Sequence, residues 1–200
     1  MRAEKKTALI VVDMLKGLTT EGGYNYYPTA GKMMEEGFSE KIEKMRERGA
    51  LIIYICGSGK TRTGFTASPH SINPELAGRD LSAIPYDESW GEFDDRLHIA
   101  EGDLIVRKHT YSAFWGTPLL RILQQNGVEN VLVCGIKTNV CCRQTAIDSV
   151  SHGYKTFVVS DMTCTNDEGT KAYHLDEFNR YFAKVIDSGE VISRLETGKF

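Results

Sequence analysis

Short runs of branched apolar residues recur along the chain, at Ala8–Val12, Ala50–Cys56, Asp103–Val106, Val131–Cys134 and Thr156–Val159. They are continuous rather than alternating, the pattern of strands buried on both faces of a parallel sheet. Helical signals lie between them. Ser39 reads as an N-cap ahead of Ile42 and Met45 on one face, with Gly49 as the stop. Thr117-Pro118 sets a cap and a first-turn proline before Leu119, Leu120, Ile122 and Leu123, closed by Gly127. Thr138 or Asn139 can cap a helix that runs to His152 and ends at Gly153. A last amphipathic stretch over 168–187 spaces Leu175, Phe178, Phe182 and Val185 at helical intervals. Strand and helix in alternation predict a doubly wound sheet between two helical layers.

The segment from Gly57 to Gly102 departs from this pattern and shows only turn formers and short polar stretches. So long a connection inside a compact domain is read as a lid or pocket wall. No repeat, linker or low-complexity tract interrupts the rest, so residues 1–200 are expected to form one domain carrying that loop. Composition narrows the function classes. Lys and Arg total 24 against 27 Asp and Glu, a net charge of −3, which supplies no electrostatic pull toward nucleic acid or an anionic membrane. The longest apolar run, Ala50–Cys56, is far short of the roughly 20 residues of a membrane span. The apolar stretch behind the basic N-terminus ends at Asp13, too soon for a secretory signal. Five cysteines, two of them adjacent, do not form a disulfide framework. A cytoplasmic protein is the expectation.

Ligands of open α/β sheets bind at the carboxyl ends of the strands. Asp13 closes the first strand, Lys108 follows the third, and Cys141 lies beyond the fourth where a helix begins. Taken singly, these would be a turn residue, a solvated lysine and an inert buried thiol. Together they are an acid, a cation and a nucleophile at one rim. A helix N-terminus and an ammonium are expected to lower the thiol pKa until it reacts near neutral pH. The carboxylate can take its proton and later return it to a leaving amine. Contact among the three favours the first strand beside the third, given a strand spacing of about 4.8 Å. Cys56, Cys134, Cys142 and Cys164 read as structural thiols. The stretch CGSGKTRTG suggests a phosphate-binding loop, but Tyr54 stands where the pattern requires glycine. Lys60 and Arg62 are left to the loop wall, where each meets either a substrate carboxylate or water. Tyr111 and Trp115 are candidates for a flat apolar wall against a planar substrate, and Phe114 for the core.

Three stretches carry a resemblance: TALIVVDML (7–15), LIVRKHTYSAFWGTPL (104–119) and GVENVLVCGIKTNVCCRQTAIDSVSHGY (127–154). The chain resembles the isochorismatase-like cysteine hydrolases, among them nicotinamidases, N-carbamoylsarcosine amidohydrolases, ureidoacrylate hydrolases and biuret hydrolases. The resemblance implies a three-layer α/β/α fold with a mostly parallel, doubly wound sheet of about six strands. It implies Asp13 as general acid/base, Lys108 as its cationic partner and Cys141 as nucleophile. It also implies a non-proline cis peptide between Ile136 and Lys137, which aims the N–H groups of Lys137 and Cys141 at a developing oxyanion. The reaction implied is cleavage of a C–N bond in a small amide or ureido compound through a thioester to the enzyme. Presence of Cys141 favours this over the vinyl-ether chemistry of relatives without the cysteine.

Metal-dependent nicotinamidases carry Asp-x-His after the second strand, where this chain reads Cys-Gly-Ser-Gly. No metal and no organic cofactor are therefore expected. The arginine that reads a substrate carboxylate in carbamoylsarcosine-type relatives aligns with Asn166, itself a candidate substrate contact. A carboxylate then needs Arg62, Lys60 or Lys137. Lys137 stands where small residues are common in the family, and a solvent-facing side chain is the plainer expectation for it. Relatives assemble as dimers or tetramers, so a homo-oligomer is expected. The alternatives are a nicotinamidase-like amidase and, from another class, a non-catalytic or nucleotide-binding α/β module.

Overall fold

The computed structural model describes residues 6–23, 25–57 and 88–200. Lys60, Arg62 and most of the long loop fall outside them. The strands are β1 (Thr7–Val12), β2 (Leu51–Gly57), β3 (Leu104–Lys108), β4 (Asn130–Ile136), β5 (Lys155–Cys164) and β6 (Lys184–Ile186). The helices are α1 (Lys16–Thr19), α2 (Pro28–Glu35), α3 (Phe38–Glu47), α4 (Leu119–Gln125), α5 (Arg143–Ser151), α6 (Glu168–Tyr181) and α7 (Ser188–Thr197). A single π-helical turn, Thr138–Cys142, joins β4 to α5.

All six strands are parallel, in the order β3-β2-β1-β4-β5-β6. β1 is buried along its whole length. Leu9 and Val11 face one side with Phe38, Ile42, Met45 and Val191. Ala8, Ile10 and Val12 face the other with Leu119, Leu123, Ala146 and Phe178. Thus α2, α3 and α7 cover one face and α4, α5 and α6 the other, which is why the apolar runs do not alternate. The chain leaves β1 toward β2 and β3 on one side, then crosses back to β4, β5 and β6. The crevice between β1 and β4 is the switch point where such sheets bind ligands.

This order corrects the expectation that β1 lies beside β3: β2 runs between them. Val12 pairs with Ile55, and Gly57 with Lys108. The two strands are therefore about 10 Å apart, two strand spacings, and two side chains rather than one must close the gap.

Several element ends also differ. The N-cap of α3 is Gly37 at φ 82, and Ser39 is buried, its Oγ accepting from the His98 N–H at 2.9 Å. α4 begins at Leu119, whose N–H is held by Thr117 Oγ1 at 3.2 Å. The stretch 168–187 divides: α6 ends at Tyr181 and residues 184–186 form the edge strand β6. Three helices escaped the sequence pattern, α1, α2 and α7, although the last two carry their signals. Pro28 opens α2 at its first turn. Asp187 caps α7 by accepting from the Glu190 N–H at 2.8 Å, and Gly198 closes it at φ 67.

Candidate active site

Asp13 is the first residue past β1 and adopts φ 51, a left-handed conformation uncommon for a non-glycine residue. Such outliers persist where surrounding structure holds them and cluster at functional sites. Its N–H donates to the Ile55 carbonyl at 3.0 Å, so β2 still holds it. The carboxylate meets Lys108 Nζ at 2.8 Å. Lys108 reaches it across β2, where its register partner is Gly57. The same ammonium donates to the Thr110 carbonyl at 3.2 Å and to Cys141 Sγ at 3.5 Å. Acid, cation and thiol therefore meet at the switch point although three separate strands deliver them.

All three are enclosed: Asp13 is 5% exposed, Lys108 1% and Cys141 6%. Burial works against the Lys108 charge, but Asp13 and Cys141 outweigh it, and the ammonium is held above its ordinary range. For Cys141 the balance is the reverse. Burial pushes the thiol up to about 12; Lys108 pulls it down, while the Asp13 charge and its hydrogen bond add to the rise. This corrects the expectation of a thiolate near neutral pH, because desolvation exceeds the help from one ammonium. The resting thiol keeps its proton beside a carboxylate that can accept it.

The peptide bond between Ile136 and Lys137 is cis. Behind it, Thr138 Oγ1 and Thr163 Oγ1 lie 3.0 Å apart, and Thr163 Oγ1 donates to the Gly135 carbonyl at 3.0 Å. Ahead of it, the Val140 and Cys142 N–H groups both donate to the Lys137 carbonyl at 3.1 Å. The turn that carries Cys141 is thereby tied to β4 and β5. Lys137 is 6% exposed rather than solvent-facing, and its Nζ stands 5.2 Å from the centre of the Tyr27 ring. Cys134, Cys142 and Cys164 are buried thiols raised mainly by desolvation, as is Cys56. Phe114 is buried, whereas Tyr111 and Trp115 are exposed on the loop after β3 and Asn166 is exposed after β5. Among the described residues no group of histidine, cysteine and acidic side chains is arranged to hold a metal ion. None of their helices is long and apolar enough to cross a membrane.

A doubly wound parallel sheet of order 3-2-1-4-5-6 brings a thiol, an acid and a lysine into contact at its switch point, a set of groups able to attack a carbonyl and move a proton. Comparison with known proteins makes this specific: the Isochorismatase domain family matches residues 7–190, and the chain belongs to that family. The ureidoacrylate amidohydrolase RutB of Klebsiella pneumoniae subsp. pneumoniae is 30% identical over 178 residues, covering 80% of this chain and 74% of that protein. A cysteine hydrolase from Pseudomonas syringae pv. phaseolicola superposes with a TM-score of 0.77 at 26% identity, covering 97% of this chain and 94% of that one. The N-carbamoylsarcosine amidase of Thermoplasma acidophilum gives 0.71 at 29% identity, with 92% and 96% covered.

Proposed function

We propose that the protein hydrolyses the C–N bond of a small amide or ureido compound through a covalent thioester on Cys141. The observation that carries this reading is one enclosed ammonium, Lys108 Nζ, touching both the Asp13 carboxylate and the Cys141 sulfur. Membership of a family that includes amidohydrolases acting on ureidoacrylate and N-carbamoylsarcosine supports the bond type.

The buried thiol sets the order of events. Because Sγ is protonated at rest, attack on the substrate carbonyl is coupled to proton transfer to Asp13. Lys108 stays paired with Asp13 throughout. The oxyanion is received by the N–H groups of Lys137 and Cys141, a role supported by the position of both residues just past the carboxyl end of β4. Asp13 then gives the proton to the departing nitrogen, the C–N bond breaks, and ammonia or an amine leaves a thioester. Water, deprotonated by Asp13, attacks that thioester; the C–S bond breaks, the acid departs and the thiol regains its proton. Every step uses groups of this chain and water, so the reading includes no metal or organic cofactor. It also includes a cytoplasmic homo-oligomer, for which Ile105, exposed on the edge strand β3, and the exposed Trp115 supply apolar contact surface.

Ammonia release from N-carbamoyl amino acids, ureidoacrylate, biuret, maleamate and nicotinamide tests the reaction, with Cys141→Ala run alongside. Turnover of one compound is expected, with a loss of roughly a thousandfold or more in the variant. Equal release by both proteins would remove Cys141 from the mechanism.

A further inference from the structure

Ser112, Ala113 and Phe114 follow β3 closely, are all buried, and are fastened to α5. Ser112 Oγ donates to Asp148 Oδ2 at 2.5 Å and accepts from the Phe114 N–H at 3.1 Å. The Ala113 N–H donates to Thr145 Oγ1 at 3.1 Å, inside the core. The Phe114 ring lies 5.2 Å from that of His152, at the end of the helix. Gln144 Nε2 donates to Asp148 Oδ1 at 3.0 Å and so orients the carboxylate. Thr145, Asp148 and His152 are spaced i, i+3 and i+7, which makes them one stripe along α5. Cys141 stands four residues before Thr145, at the head of that stripe. At 1.5 Å per residue it is roughly 10 Å from Asp148 along the helix.

The same segment also holds the amine of Lys108. That Nζ meets Asp13 at 2.8 Å, the Thr110 carbonyl at 3.2 Å and Cys141 Sγ at 3.5 Å. Thr110 is two residues from Ser112, so the contacts close a ring from Lys108 through Thr110, Ser112, Asp148 and α5 to Cys141, and back to Lys108. We infer that the Ser112–Asp148 hydrogen bond is a positioning device: it holds the loop after β3 along α5 and thereby keeps the Lys108 ammonium on the Cys141 sulfur. The inference rests on the reaction proposed above, in which Cys141 is the nucleophile. Both residues act through Lys108 and not on the substrate. A lysine head is a compact charge on a flexible stem, so the acceptors around it set its place. Its sulfur contact is the longest of the three, and sulfur is a weak acceptor. It is therefore the first to be lost when the Thr110 carbonyl withdraws. A hydroxyl on a carboxylate is among the stronger hydrogen bonds, which suits the latch to that task.

The rate at which iodoacetamide alkylates Cys141 in the folded protein, followed by tandem mass spectrometry, tests this without turnover. Lys108 draws the thiol toward ionisation, so loss of their contact slows alkylation. A loop that is merely loosened uncovers the sulfur and speeds it. Ser112→Ala and Asp148→Ala should each slow the reaction at pH 8 by about threefold or more. The double variant should be no slower than the slower single one. Asp148→Asn, whose amide oxygen still accepts, should return most of the loss. In a Lys108→Met protein, Ser112→Ala should leave the rate unchanged; if that protein does not fold, the Asp148→Asn arm decides. With a substrate in hand, kcat should fall in the same order among the variants while KM stays within about twofold. Unchanged or faster alkylation in Ser112→Ala, no recovery in Asp148→Asn, an unchanged kcat, or an effect that persists without Lys108 would overturn the inference. Absence of turnover in the wild type, or turnover retained by Cys141→Ala, is instead a failure of the proposed reaction and is read apart from the alkylation rates.

Discussion

At the scale of single residues the site is a balance between burial and charge. Asp13 and Lys108 are both enclosed, so each ion is tolerable because the other is 2.8 Å away. Removing one leaves the other uncompensated, which costs roughly 3–5 kcal/mol for a buried pair. Lys108→Met and Asp13→Asn should each lower unfolding free energy by about that amount in urea titrations. The double variant should recover much of the stability and none of the activity; equal losses in all three would mean that the pair is not coupled. The thiol makes a different prediction. With its pKa pushed up to about 12 by burial, Cys141 exposes more thiolate at every step of rising pH. Its alkylation by iodoacetamide should climb about tenfold per pH unit between pH 7 and 10 without a plateau. A plateau below pH 8 would show that Lys108 outweighs desolvation. The sequence made the three residues legible through type, order and surroundings. It could not supply the thiol's protonation state, which depends on how much water the fold leaves around the sulfur.

Elements place these groups through local backbone requirements. Gly135 sits in β4 at φ 105, where a Cβ would come within 2.1 Å of the Val12 carbonyl oxygen. That glycine lets β4 approach β1 one residue before Asp13, beside the register shift between β4 and β5. Gly135→Ala should therefore destabilise by more than about 4 kcal/mol or prevent accumulation of folded protein, read by circular dichroism and expression yield. Gly49→Ala provides a milder comparison, because its φ of 87 strains an alanine while nothing stands within 4 Å. Similar losses at the two positions would mean that the close approach is unimportant. Strands were the legible elements, since burial on both faces demands unbroken apolar runs. Helix boundaries were less so. Over 168–187 the spacing of Leu175, Phe178, Phe182 and Val185 fits a helix throughout, yet the last turns are exchanged for pairing of Phe157–Val159 with Lys184–Ile186. Local periodicity contains no information about that partner strand.

On the scale of the whole molecule, the strand order decides which residues meet. The central strands β1 and β4 each have two neighbours and are buried throughout, whereas β3 and β6 lie at the edges. Amide hydrogen exchange should accordingly be slowest in β1 and β4 and faster in β3 and β6. Faster exchange in β1 than in β3 would contradict the order. The sequence by itself determined the fold class, the family and the identities of Asp13, Lys108 and Cys141, because apolar periodicity and local motifs are written in consecutive residues. Only the tertiary structure decided that β2 separates β1 from β3, that Lys108 bridges the gap to Asp13, that the thiol is pushed up by burial, and that Lys137 is enclosed against Tyr27. Each of these depends on distance and desolvation between segments remote in the chain, quantities that arise only once the strands have paired and the helices have closed over them.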